Sequence, residues 1–304
     1  METPKVNPYL ALGIGVVSVS TSAILVKVSS ADAGVIAFYR LFITVLLMAP
    51  FFFIKNMKEL KLITIRDWIY SLIAGIFLAF HFILWFESLN YTSVASSTVL
   101  VTLQPLFAFL GTFLFFNERL SLKAILCGVI AIAGSVIISW GDFQISGSAL
   151  FGDVLALAAC ALVTAYLLFG QHVRKRLSLM TYTFVVYFIC SVVLLIYVLF
   201  TKEKLGPYPA EDWVYFLLLA LIPNLLGHSL FNWSLKWVST STISMAILFE
   251  PVGASILAYF LLHESLHATQ ILGGGVVIAG ISIFLLNERK SKQLELMKND
   301  MESV

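Results

Sequence analysis

The chain has 304 residues, 60% of them hydrophobic and only 12% charged, with a formal net charge of +2. Soluble globular proteins carry about 25% charged residues. This composition, with a mean hydropathy of +0.96, excludes a soluble enzyme and a nucleic-acid-binding module.

The apolar residues come in long blocks, and a helix of about 20 residues spans roughly 30 Å, enough to cross a bilayer. Ten blocks follow one another: 8–27, 33–54, 67–88, 92–116, 121–139, 149–170, 181–200, 212–235, 239–262 and 267–286. Each predicts a transmembrane helix, numbered one to ten in chain order. Lys5 precedes the first block and no convincing small-residue cleavage site follows it, so the block reads as helix one and not as a removed signal peptide. The connections are short and rich in turn formers, as in "WGDFQISGS" (140–148) and "GPYPAED" (206–212). None is long enough for a soluble domain. The charged tail, 287–304, reads as a solvated helix or a disordered stretch with no part in transport.

Charge placement orients the chain. With the N-terminus inside, Lys27, Lys202 and Lys204 fall outside and Arg40 falls within helix two. Of the 19 lysines and arginines, 19 − 3 − 1 = 15 then lie inside. Such a bias follows the positive-inside rule, predicts both termini in the cytoplasm of a cell-membrane protein, and requires an even number of crossings. Cys127, Cys160 and Cys190 sit on three separate apolar helices and read as small buried hydrophobes, not as metal ligands or a disulfide framework.

Residues 88–134 align without a gap on 234–280, at an offset of 234 − 88 = 146. Pro105 meets Pro251, Ala108 meets Ala254, Glu118 meets Glu264, and Gly128 and Gly134 meet Gly274 and Gly280. Helices three to five thus repeat as eight to ten, and the chain divides into halves 1–139 and 149–286. Five is odd, so the second half enters the membrane from the opposite side. Inverted repeats of this kind build many secondary transporters, with substrate held near the midplane between the halves. The predicted fold is all-α: ten transmembrane helices as two inverted five-helix repeats.

"HFILWFESLNYTSVASSTVLVTLQPLFAFLGTFLFFNERL" (81–120) and "GHSLFNWSLKWVSTSTISMAILFEPVGASILAYFLLHESL" (227–266) resemble the paired signature of EamA-type transporters in the drug/metabolite transporter superfamily. The resemblance covers essentially the whole chain. It implies a coupled carrier that exports a small metabolite, such as an amino acid or a related compound. It implies no cofactor.

"LFEPVGA" (248–254) places a carboxylate and a proline within an apolar run, and its repeat partner is Gln104-Pro105. The prolines predict matching kinks, where freed backbone groups need a neighbour or a cavity. An ionisable residue at this depth is a functional candidate, so Glu250 leads as a substrate or proton site, with Gln104 beside it. Arg40 could hold a substrate carboxylate, snorkel outward, or pair with Glu87. His81, His228 and Asn232 are substrate or proton candidates, or packing residues with local hydrogen bonds. Trp85, Trp233 and Tyr166 could form cavity walls, whereas Trp68, Trp140, Trp213 and Trp237 suit interfacial anchoring. Hydroxyl stripes at Ser18, Ser20, Thr21 and Ser22 and at Ser93, Ser96, Ser97 and Thr98 could line a path or let helices pack closely. Gly128, Ala131 and Ser135 with Gly273, Gly274 and Gly280 read as close-packing surfaces. Asp153 reads as an acid at the start of helix six, and Glu118 and Glu264 as caps of the following helices.

"HESLH" (263–267) matches H-E-x-x-H, a zinc-protease pattern. It falls at a turn and its repeat partner "NERLS" lacks histidine, so an intramembrane zinc hydrolase is a remote alternative and no metal is expected. A lipid-carrier flippase is the other. The expected partners are a small-molecule substrate and membrane lipid, with proton coupling and homo-oligomerisation open and no nucleic acid.

Overall fold

The computed structural model describes residues 4, 6–92, 94–117, 121–140, 147–261 and 268–302. Among these, eight spans are long and apolar enough to cross a membrane, and the shorter apolar stretches Leu122–Ile138 and Ile271–Asn287 bring the number to ten. Helix one runs as Pro8–Val19 and Ser22–Val28, with a break at Ser20 and Thr21. Helix two is Ala33–Phe51 and continues through π-helical Phe52–Asn56 into a 3-10 turn, Met57–Leu62, well beyond the predicted end at 54. Helix three is Ile65–Ser88 and helix five Leu122–Ser139. Helix six is Gly147–Val173 and helix seven Leu179–Thr201. Helix eight is Ala210–Leu219, π-helical Ala220–His228 and Ser229–Ser234.

Helices four and nine are each split in two. Helix four is Val94–Val101 and Gln104–Phe116, and helix nine is Thr240–Ile247 and Glu250–Leu261. The breaks fall at 102–103 and 248–249, the same offset of 248 − 102 = 146 that relates the sequences. The prolines therefore do not bend a continuous helix. Pro105 and Pro251 sit in the first turn of each second half-helix, where no backbone donor is needed. Helix ten runs unbroken through the tail, Ala268–Glu302. The tail has no Gly or Pro and many strong helix formers, so nothing local stops the helix at 286.

The helix partners are those that a two-fold axis in the membrane plane would exchange. Helix one packs on eight as three packs on six; two packs on seven, four on nine and five on ten. The main core joins helices one to four and six to nine, and a smaller one, with Val99, Cys127, Met245 and Val277, joins helices four, five, nine and ten. Large apolar side chains such as Phe200, 86% exposed, cover the outside, as a lipid-facing surface requires.

Helices five and ten touch backbone to backbone. A Cβ on Gly134 would lie 2.7 Å from the Val277 nitrogen, and one on Gly273 would lie 2.6 Å from the Gly134 carbonyl oxygen. A Cβ on Gly280 would lie 2.9 Å from the Ala131 nitrogen. Gly128 instead faces the Phe109 ring, and Gly274 leaves ordinary room for Val252. Gly273→Ala should therefore destabilise the folded protein by about 1–3 kcal/mol, the usual cost of overpacking. Gly275→Ala, which meets open space, should leave the melting temperature unchanged or raise it. Thermal unfolding of both variants in one detergent checks the contrast.

Candidate functional site

The splits in helices four and nine bring Gln104 and Glu250 to the start of their second half-helices, facing one small cavity between the two halves of the chain. Helix one is broken beside it, where Ser20 donates to the Val16 carbonyl at 2.9 Å and to the Glu250 carbonyl at 3.3 Å. The cavity measures about 20 Å³, room for about one water. Arg40, His81, Trp85 and His228 line it with Gln104, Glu250 and Ser22. Val101 and Ile247, related by the repeat, face each other's half across it, as do Trp85 and Phe231.

Arg40 is fully buried. Its Nη1 donates to Ser22 Oγ at 2.8 Å and its Nε to Asn224 Oδ1 at 3.3 Å. The guanidinium lies 4.2 Å from the centre of the Phe82 ring, within cation–π range. Asn224 comes from the π-helical stretch of helix eight, next to Pro223, and also donates to Thr44 Oγ1 at 3.1 Å. Arg40 neither snorkels nor meets Glu87, which accepts from Asn90 at 3.3 Å instead. The depth of the arginine and the polar wall supplied by helices one and eight account for the difference. Arg40 Nη2 has no partner.

Three more polar groups of the lining are unpaired: Trp85 Nε1, Gln104 Oε1 and His228 Nδ1. No hydrogen bond reaches the Glu250 carboxylate among the described residues, although the side chain is buried. Arg40 and Glu250 form no ion pair; Arg176 with Asp67, at 3.3 Å, is the ion pair found among the described residues. His81 Nδ1 is 3.0 Å from the Ala159 carbonyl. A carbonyl only accepts, so Nδ1 carries the hydrogen and Nε2 of the neutral ring is an acceptor. The His81 and Trp85 rings stack at 5.8 Å, and His228 stands edge-on to Phe82 at 5.5 Å. The arrangement offers unpaired donors to an anionic group and unpaired acceptors to a cationic one.

Other sequence candidates lie elsewhere. Asn232 Nδ2 donates to the Tyr166 hydroxyl, to the Tyr187 hydroxyl at 3.3 Å and to the His228 carbonyl at 2.9 Å. Asn232 and Tyr166 are thus bonded to each other and do not line the cavity, although Asn232 Oδ1 has no partner. Trp233 packs on Trp237 at 4.2 Å and, unlike Trp85, does not line the cavity. Among the described residues of the hydroxyl stripes only Ser22 lines the cavity; Ser97 bonds Ser88 at 2.6 Å, and Ser96 and Thr92 donate to Asp153 at 3.0 and 2.8 Å. Asp153 therefore ties helix six to helix four and to the turn before it, beyond the terminal role expected of it. Ser93, Glu118, Glu264 and the "HESLH" motif lie outside the described residues. Among those described, no group of three His, Cys, Asp or Glu could hold a metal ion. Asn224 and Phe82 escaped the sequence reading. "IPN" (222–224) carried the same signal as "EP": a polar residue beside a proline inside an apolar span.

Asn232→Leu would take a hydrogen bond from the buried Tyr166 hydroxyl and leave Tyr187 with Ser229 alone, at 3.5 Å, at a cost of about 1–3 kcal/mol. It should lower the melting temperature while leaving substrate affinity of the folded fraction unchanged, as thermal unfolding and a binding assay would read separately.

The model of the EamA-like transporter family matches residues 7–140 and 150–286. An "Uncharacterized transporter" of Archaeoglobus fulgidus is 23% identical over 90% of this chain and 94% of its own length. "Uncharacterized transporter YxxF" of Bacillus subtilis is 25% identical over 79% of this chain and 76% of its own. "Riboflavin transporter ImpX" of Fusobacterium nucleatum is 22% identical over 63% and 66%. A solved crystal structure superposes with a TM-score of 0.75 at 16% identity, covering 93% of this chain and 98% of that one, a likeness of fold. The chain is a multi-pass membrane protein and belongs to the EamA-like transporter family.

Proposed function

We propose that the protein is a secondary active carrier that exports a small zwitterionic metabolite, such as an amino acid, by alternating access. The observation that carries this reading is the pair Arg40 and Glu250, both buried, lining one cavity without touching. A substrate carboxylate would take Arg40 Nη2 and Trp85 Nε1, both unpaired. An ammonium group would take the Glu250 carboxylate and Gln104 Oε1. Both substrate charges would then be neutralised by partners in a low-dielectric site, where an unpaired charge is costly.

Glu250 also suits coupling. A proton on the carboxylate and the ammonium group of a substrate would compete for the same place, so one would leave as the other arrives. That makes exchange of substrate for protons the economical cycle. His81 and His228 stand beside the cavity as candidate proton relays. A cavity of about 20 Å³ does not hold an amino acid, so this conformation must widen before it can bind one. The breaks in helices one, four and nine are the candidate hinges for opening it. The excess of basic residues on one face supports cytoplasmic termini and a place in the cell membrane.

Comparative metabolite profiling of cells and medium tests this, with the wild type, Glu250→Gln and an empty vector in one bacterial host. Wild type should raise one amino compound outside while its internal level falls. Glu250→Gln should cut that export about ten-fold or more, as loss of a charged hydrogen bond worth about 1.5–3 kcal/mol would do. Undiminished export by Glu250→Gln would remove Glu250 from the site. Export of a flavin and of no amino compound would replace the zwitterion with the substrate class for which one relative is named.

A further inference from the structure

A second cavity, of about 410 Å³, shares no lining residue with the first. It is a groove between helices three, four and six, on the face that carries the lysine and arginine excess. Arg66 and His172 stand at its mouth, and Phe77, Phe115 and Phe169 form its walls. Arg66 is exposed and donates from Nε and Nη2 to the Tyr70 hydroxyl at 3.1 and 3.0 Å. The Lys175 ammonium lies 5.3 Å from the centre of the Phe116 ring, another wall of the groove. The carboxylate nearest in sequence, Asp67, is already engaged by Arg176 at 3.3 Å and by the Thr64 hydroxyl at 2.6 Å. Among the described residues the mouth therefore keeps a net positive charge.

The groove has the length of one leaflet. Arg66 and Phe77 are 77 − 66 = 11 residues apart on one helix, about 16 Å at 1.5 Å per residue. Half a hydrocarbon core is about 15 Å. Cations at one end and apolar rings to the midplane match a lipid standing upright. Phe115, 69% exposed, leaves the groove open sideways to the bilayer, where such a molecule is always at hand.

We propose that this groove binds one anionic phospholipid, its phosphate against Arg66, His172 and Lys175 and an acyl chain along Phe77, Phe115 and Phe169. Basic pockets between helices at the membrane interface are suited to such headgroups.

Native mass spectrometry of the purified full chain tests it, in detergent with equal amounts of phosphatidylglycerol and phosphatidylcholine of identical chains. Wild type should retain one phosphatidylglycerol in preference to phosphatidylcholine. Arg66→Gln and Lys175→Gln should each reduce that preference about five-fold. Ala165→Trp, which fills the groove between the rings, should reduce retention of both lipids. Each variant is read on protein that elutes and melts like the wild type. Equal retention of the two lipids by the wild type, or a preference unchanged in the double charge variant, would overturn the proposal. So would full retention by Ala165→Trp, which would place the lipid elsewhere. Displacement of the lipid by excess inorganic phosphate alone would reduce the site to a surface anion site and refute the chain contact.

Discussion

A guanidinium with no exposed surface inside an apolar bundle is the constraint around which this molecule is arranged. A charged side chain at the centre of a bilayer costs at least about 2.5 kcal/mol, and more without partners. Arg40 is accommodated by Ser22 of helix one, Phe82 of helix three and Asn224 of helix eight. Those partners come from both five-helix halves. The two halves thus meet at Arg40, where the π-helical stretch of helix eight holds Asn224 against both Arg40 and Thr44. One guanidinium nitrogen stays unpaired and faces the place where a ligand would sit.

The backbone is nearly symmetric where the chemistry is not. The breaks of helices four and nine recur at the same repeat positions, and helices pair as a two-fold axis demands, although helix one is broken where helix six is continuous. Yet Gln104 answers Glu250, Trp85 answers Phe231 and Phe82 answers His228. Arg40 comes to the cavity from one half and Glu250 from the other. Symmetry offers two equivalent ways to open the cavity, while the asymmetric side chains would fix the orientation of what is bound there.

The ten spans, the repeat and the burial of Glu250 beside Pro251 were all legible in the sequence, because each rests on local composition or on self-comparison. The partners of Arg40 were not. Glu87 is near it along a helix end, but the true partner, Asn224, arrives from a helix nearly two hundred positions away. Lateral packing of that kind leaves no periodic trace. Asn232 and Tyr166 show the reverse difficulty. Each is polar within an apolar span, as Glu250 is, and only their mutual hydrogen bond separates them from a ligand site. The prolines signalled the right places but the wrong event, since a helix start and a kink demand the same residue.

The central claim is that the cavity between Gln104 and Glu250 opens to each side of the membrane in turn. Val101→Cys and Ile247→Cys, in a chain with Cys127, Cys160 and Cys190 replaced, place a thiol on each half of its wall. Membrane-impermeant thiol reagents applied from one side at a time should reach each cysteine from either side during turnover, and substrate should slow both reactions. Labelling of both positions from one side only, with no protection by substrate, would contradict the account.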